Sequence, residues 1–287
     1  MTNIFPQGTV DFSVGYKTQT TWGFQEGLTF VLEGVGATLF FAALLADNVW
    51  GMAAGVVVLG ASGVLLMMHL GRPRNMIYVM ANFRHSWMSR GAVLIPAFIG
   101  LGFLLVVAQG VFGLSITGGW RVAIEIVFLL LTLFTVMKSG LVLSTFPAIA
   151  FWNGGLLPVM FALSGLSAGV AIFGVFDDFL TARWIWLVPA LTAGLLVTLT
   201  VHLITMNNAS RAAKVSVGLI GARHALPFYG GAIGIGLAVP LALGVYAVVV
   251  PGDASILLWA AVAVTRLFGD IVLRDVLLKV GVFDKVR

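Results

Sequence analysis

The chain has 287 residues, of which 60% are hydrophobic and 9% charged, with a formal net charge of +5 and a mean hydropathy of +1.07. Soluble domains carry about 25% charged residues, so the composition excludes a water-soluble globule, a disordered chain and a fibrous repeat. Cysteine is absent. That excludes disulfides, thiolate zinc sites, cysteine nucleophiles and iron–sulfur clusters held by this chain, and leaves four histidines as the strong candidate haem or metal ligands.

Residues 1–27 read as a polar tail, without the basic start, apolar core and small-residue cleavage site of a secretory leader. A helix crosses hydrocarbon with about 20 largely apolar residues. Eight such stretches follow, at 28–46, 49–70, 91–113, 120–143, 154–176, 184–206, 229–250 and 254–277. Breaks at Asp47-Asn48, Thr117-Gly118-Gly119, Asp177-Asp178 and Pro251-Gly252-Asp253 suit short turns between antiparallel helices. The expected fold is an all-α integral membrane protein whose eight transmembrane helices form two four-helix bundles, 28–143 and 154–287, the second carrying the C-terminal tail.

Two segments echo each other. Phe30-Val31-Leu32-Glu33-Gly34-Val35-Gly36-Ala37 reads against Phe161-Ala162-Leu163-Ser164-Gly165-Leu166-Ser167-Ala168 at an offset of 131 residues, and His69-Leu70 against His202-Leu203 at 133. Four helices per repeat would give both halves the same orientation. Gly34, Gly36, Gly165, Ser167 and Gly169 would let backbones approach closely, as membrane helices need.

An even number of spans puts both termini on one side, here side A, with the connections after the second, fourth and sixth helices. Lys and Arg crowd side A, whereas the side B connections carry only Arg121 and Arg183, beside Asp47, Asp177, Asp178 and Asp253. Lys and Arg accumulate in cytoplasmic loops, so side A is expected to face the cytoplasm.

Ionisable side chains in lipid cost about 2.5–3.5 kcal/mol each and usually face a bundle interior. Glu33, His69, Lys138, His202, Asp270 and Arg274 are expected in the side A half, Arg266 near the middle, and Glu125 as a lone buried acid on side B. Asp270 and Arg274 have the i, i+4 spacing of a salt bridge. The histidines also suit helix caps or bonds to interfacial water, and Lys138 also suits snorkelling. Glu33 has no in-register cation on its own helix, which favours proton chemistry or a polar ligand. The connection after the second helix, His69-Leu70-Gly71-Arg72-Pro73-Arg74 through Ser89-Arg90-Gly91, predicts a short interfacial helix within 74–88. The uncharged connection Phe146 to Gly155 offers Phe151, Trp152 and Asn153 as flat walls and an amide for a flat, polar-headed ligand, or as an aromatic belt in an ordinary turn.

His-Leu-Gly-Arg-Pro after the second helix, Ser-Arg-Gly opening the third, Leu157-Pro158 with Leu163-Ser164-Gly165, and the Asp270…Arg274 end of the eighth resemble the polysulfide reductase/NrfD family of membrane anchors. The dimethyl sulfoxide reductase anchor subunit is similar too. The resemblance implies a subunit that exchanges electrons between membrane quinone (ubiquinone or menaquinone) and an iron–sulfur subunit, wired to a molybdenum or tungsten bis-pterin (molybdopterin) catalytic subunit. It implies no haem or metal in this chain. It matches His69 to a histidine implicated in quinol binding, and places Arg72 and Arg90 in a loop facing the iron–sulfur partner; relatives commonly have a small residue where Glu33 stands.

Together these readings give a quinone site of His69, Arg72, Trp152, Asn153 and Glu33, a proton relay of Glu33, Lys138, His202, Glu125 and Asp270, and a docking surface of Arg72, Arg74, Arg84 and Arg90. With side A inward, the expected setting is the inner (cytoplasmic) membrane. The expected partner is a cytoplasmic catalytic module of the sulfite dehydrogenase or phenylacetyl-coenzyme A dehydrogenase kind. Three other readings stay open at this point: a haem b anchor using His69 and His202, a transporter or proton-translocating subunit using Glu33, Glu125, Arg266 and Asp270, and a purely structural anchor, which would bind no quinone. No nucleic-acid motif is present.

Overall fold

The computed structural model describes residues 16–69, 76–176, 184–250 and 255–284. Its elements are α1 (Phe24–Leu45), α2 (Val49–His69), α3 (Met76–Met80), α4 (Trp87–Gly110), α5 (Gly119–Ser144), α6 (Leu156–Phe176), α7 (Leu187–Ala209), α8 (Arg211–Arg223), α9 (Leu226–Val249) and α10 (Ile256–Lys279). Among the described residues eight helices are long and apolar enough to cross a membrane, all but α3 and α8. The protein is a multi-pass membrane protein.

Local chemistry sets the helix ends. Ser86 Oγ accepts from Ser89 N at 3.3 Å, so α4 starts at Trp87 and takes Arg90 into its first turn. The expected span began later because that arginine is charged. The predicted interfacial helix shrinks to the five residues of α3, followed by turns to Ser86. Between α1 and α2, Asp47 adopts a positive φ of 54° and Asn48 Oδ1 accepts from Gly51 N at 2.8 Å, which closes the turn tightly. The first part of α9, Leu226–Ala238, is a π-helix. An α-helix would pair the Gly236 carbonyl with residue 240, but Pro240 has no N–H to give.

α1 and α6 lie at the centre. α1 packs on α2, α5, α6 and α10, and α6 on α1, α5, α7 and α10. The two central helices meet through positions that the offset of 131 makes equivalent. The rings of Phe30 and Phe161 lie 6.4 Å apart. A Cβ on Gly34 would come within 3.2 Å of Gly165 Cα, and one on Gly165 within 3.1 Å of Gly34 Cα. Four residues on, a Cβ on Gly169 would sit 2.4 Å from Thr38 Cβ. Small residues are needed where two helix backbones approach this closely.

The first and last described segments of the chain lie together on side A. Thr18 bridges to Val282, Phe283 N donates to Lys17 O at 2.9 Å, and Asp284 N donates to Ala148 O at 2.9 Å. The buried apolar residues divide by depth rather than by sequence half. Phe30, Leu143, Trp152, Phe161, Phe228 and Leu277 belong to a cluster towards side A. Phe40, Met52, Phe98, Phe128, Phe173 and Trp259 belong to one towards side B. Between them, beside a small group of Val31, Val35 and Ala168, lies a layer of buried polar side chains that includes Glu33, Lys138, Ser167, Thr192, Arg266 and Asp270.

Candidate functional site

The first half of the polar layer is built on α1 and α5. Lys138 Nζ lies 2.7 Å from Glu33, and Ser139 Oγ donates to Glu33 Oε2 at 3.0 Å. Glu33 is 2% exposed and Lys138 6%. Two charges in so dry a place persist because each satisfies the other and a hydroxyl takes up a further acceptor site. Gly91, from the Ser-Arg-Gly segment opening α4, makes room for the lysine: a Cβ there would lie 2.5 Å from Lys138 Cδ. The structure therefore joins two features that the sequence displays separately.

The second half of the layer is built on α6, α7, α9 and α10. Arg266 pairs with Asp270, donates through NH1 to Gly236 O at 2.6 Å, and donates through Nε to Ser167 Oγ at 3.2 Å. Thr192 Oγ1 gives its proton to Val188 O at 2.8 Å, so Ser167 must be the donor in the 2.8 Å Ser167–Thr192 bond. The guanidinium thus serves the carbonyl that Pro240 leaves without a helical partner.

This corrects the expected Asp270–Arg274 pair. Asp270 is taken by Arg266, one turn the other way. Arg274 instead lies between α1 and α6, with NH2 donating to Phe161 O at 3.3 Å and its guanidinium 4.1 Å above the Phe161 ring. Its Nε and the second oxygen of Asp270 are buried without hydrogen-bond partners.

On side A, the loop after α5 is locked onto the end of α10. Trp152 is buried, and its indole Nε1 donates to Leu277 O at 2.9 Å. Gln19 Nε2 donates to Leu278 O at 2.7 Å, while Gln19 Oε1 accepts from Thr21 N and Trp22 N. These two side chains cap carbonyls that a helix C-terminus leaves open. Trp152→Phe should cost about 1–3 kcal/mol, since it strands the Leu277 carbonyl; a thermal melt of the protein in detergent checks this. Asn153, next in sequence, is exposed. His202 lies beneath the loop, fully buried and edge-on to Phe151 at 5.2 Å.

Of the residues expected to bind quinone, Glu33 lies in the polar layer and Trp152 and Asn153 in the α5–α6 loop. The side chain of His69, with Arg72 and Arg74, lies outside the described residues. Arg84 is exposed. Arg90 donates to Phe83 O at 3.1 Å and Arg84 O at 2.8 Å, and its guanidinium stacks 4.2 Å over Trp87. It therefore folds the connection before α4 as well as presenting charge.

Glu125 is not a lone buried acid. Arg121 pairs with it at 2.8 Å and with Asp47 at 2.6 Å, and all three are partly exposed at side B. The structure does not bring Glu125 to Glu33, Lys138 or Asp270. Exposed pairs of this kind contribute about 0.2–1 kcal/mol, so Arg121→Gln should change stability by no more than that and leave turnover of the assembled complex unaltered. Steady-state kinetics beside a melt checks both halves of the statement.

Sequence reading missed Ser139, Thr192 and Gln19, and took Ser167 only as a small packing residue although its hydroxyl joins Arg266 to Thr192. The i, i+4 spacing of Arg121 and Glu125 was a visible signal for their pairing; nothing local marks the hydrogen bonds of the other four. Among the described residues no group of three or more His, Cys, Asp or Glu is placed to hold a metal ion.

Residues 41–283 match the family model described as polysulphide reductase, NrfD. No curated protein matches the chain. The matched region begins after Glu33, so that residue stands outside it.

Proposed function

Because the chain belongs to the NrfD family, whose members are membrane subunits of quinone-linked oxidoreductase complexes, we propose that it seats a quinone in its side A half. An iron–sulfur subunit docks on the connection after α2, through Arg72, Arg74, Arg84 and Arg90, and exchanges electrons with that quinone. The iron–sulfur subunit is in turn served by a molybdopterin catalytic subunit. The excess of Lys and Arg on side A favours a cytoplasmic catalytic module and cytoplasmic termini, in the inner membrane.

The observation that carries the proposal is the buried Glu33–Lys138 pair, set directly behind the first turn of α4. Reducing one quinone takes two electrons and two protons. The electrons come from the partner, and the protons need side chains that can release and regain them within the membrane. Glu33 and Lys138 are such groups at hydrogen-bond distance. His69 and Asn153, at the side A ends of α2 and of the α5–α6 loop, hydrogen-bond the quinone carbonyls, and Arg72 steadies the head group. Trp152 acts by immobilising that loop. His202 and Asp270 take part in the relay from the second half, His202 being the repeat counterpart of His69.

His69→Ala tests the seat. The complex should assemble with its partners and lose quinone-linked turnover by about a hundredfold or more, the usual scale for removing a proton-transferring group. Unchanged quinone kinetics in an assembled variant would remove His69 from the site. His202→Phe separates a relay role from a packing role: an aromatic ring of similar volume should change the melting temperature little, while turnover falls.

A further inference from the structure

We infer that the seam between α6 and α10 holds a buried water molecule, bound by Ser164, Asp270 and Arg274. The site stands on the geometry of that seam; only its consequence for a proton relay rests on the quinone reading above.

Two contacts set the register of the seam. Arg274 NH2 donates to Phe161 O at 3.3 Å, and Arg266 Nε donates to Ser167 Oγ at 3.2 Å. The helices therefore run antiparallel, with Phe161 opposite Arg274 and Ser167 opposite Arg266. Ser164 is three residues from both Phe161 and Ser167, and Asp270 is four residues from both Arg266 and Arg274. With about 3.6 residues per turn, each lies midway around its helix as well as midway along it. Ser164 and Asp270 thus face one short stretch of the seam, bounded at its ends by the two arginine contacts.

Three buried groups in that stretch make no hydrogen bond to protein: Ser164 Oγ, Asp270 Oδ2 and Arg274 Nε. Their residues are 1%, 0% and 1% exposed. Polar groups so deeply buried are satisfied in native proteins, and bound water is the usual partner where protein supplies none. The chemistry of the three decides the ligand. Asp270 Oδ2 accepts, Arg274 Nε donates and Ser164 Oγ can do either. An anion would meet the carboxylate oxygen with no proton to give it, and a metal cation would meet the guanidinium. A water molecule donates to Asp270, accepts from Arg274 and bonds Ser164, which makes about the three bonds usual for a buried water.

Charge balance points the same way. Among the described residues the buried layer sets Lys138, Arg266 and Arg274 against Glu33 and Asp270. Lys138 pairs with Glu33 and Arg266 with Asp270, which leaves Arg274 outside both ion pairs. The water joins it to Asp270, so the i, i+4 partners of the sequence meet at one remove. Arg274 also lies against α1, where a Cβ on Gly34 would come 3.9 Å from its NH2, one residue from Glu33. In the proposed relay the water gives Asp270 a neighbour that can hand on a proton, which the guanidinium of Arg266 does not release.

A cryo-electron microscopy map of the intact complex, at a resolution that shows ordered water, tests the site. The expected map has one peak within about 3.2 Å of Ser164 Oγ, Asp270 Oδ2 and Arg274 Nε. Side chains bonded directly to one another, with no peak between them, would overturn the inference. Thermal melts in detergent supply an independent sign. Ser164→Ala removes one bond to the water, so the melting temperature should fall by about 2 °C, the scale of a single hydrogen bond in a chain of this size. A hydroxyl bonded to nothing gives the opposite sign, because deleting a bare buried polar group leaves stability unchanged or raised; that result would overturn Ser164 as a ligand. A water present in an assembled complex that reduces no quinone would overturn the relay and leave the site standing.

Discussion

Gly269→Leu should prevent the protein from accumulating as a folded species. A Cβ on Gly269 would lie 2.1 Å from Gly236 Cα, and one on Gly236 would lie 2.3 Å from Gly269 Cα. The obstacle on both sides is backbone, so no rotamer change relieves it. Overpacking of a well-packed core costs about 1–3 kcal/mol, and here a second loss follows. Pushing α9 and α10 apart takes the Gly236 carbonyl away from Arg266, and breaking a buried charged network costs about 3–5 kcal/mol. Gly60→Leu is the control, since nothing approaches within 4 Å of a Cβ there. Size-exclusion chromatography and thermal melts in detergent should show a folded, wild-type-like Gly60 variant and an aggregated or absent Gly269 variant. Equal melting temperatures for the two would contradict the close crossing.

The second large effect belongs to Glu33 and Lys138. Glu33→Ala leaves a buried ammonium with only a serine hydroxyl and an aromatic face nearby, and Lys138→Ala leaves a buried carboxylate. Each should cost about 3–5 kcal/mol. The double variant Glu33→Leu with Lys138→Met removes both charges and should cost clearly less than the sum of the single changes, because neighbours in one ion pair do not act additively. Turnover should not follow stability. The double variant should fold and assemble yet remain inactive with quinone, since both proton-carrying groups are gone. An active double variant would reduce the pair to a structural contact.

Much of this was legible before any coordinates. The eight spans announce themselves because about 20 apolar residues in a row have little other use. Glu33 stood out as an acid in hydrocarbon without a cation on its own helix. The offset of 131 was readable in short strings, and its equivalent positions prove to touch one another across α1 and α6.

What was not legible is long-range. Arg266–Asp270 and Asp270–Arg274 share one spacing, and helical periodicity cannot choose between them. The choice falls to a carbonyl on α9 that Pro240 leaves open, a fact about another helix. Trp152 reads as a ligand wall because its loop is aromatic and uncharged, but its indole caps α10. Gln19, in a segment that composition marks only as a polar tail, clamps the residues before α1 to the end of α10. The division of the core by depth could not be seen along the sequence, because each layer takes a few residues from every central helix.

The central claim is that this chain carries no electrons on its own groups and instead brings a lipid-soluble carrier to a partner's clusters. The most direct measurement is rapid mixing of the reduced, gently purified complex with a short-chain quinone, following the iron–sulfur signal by electron paramagnetic resonance and the visible spectrum together. The predicted result is reoxidation of the clusters by quinone in the wild-type complex and its loss in Glu33→Gln. A complex without an iron-bearing companion, or one whose electrons pass through a Soret-absorbing haem held by these helices, would contradict the account.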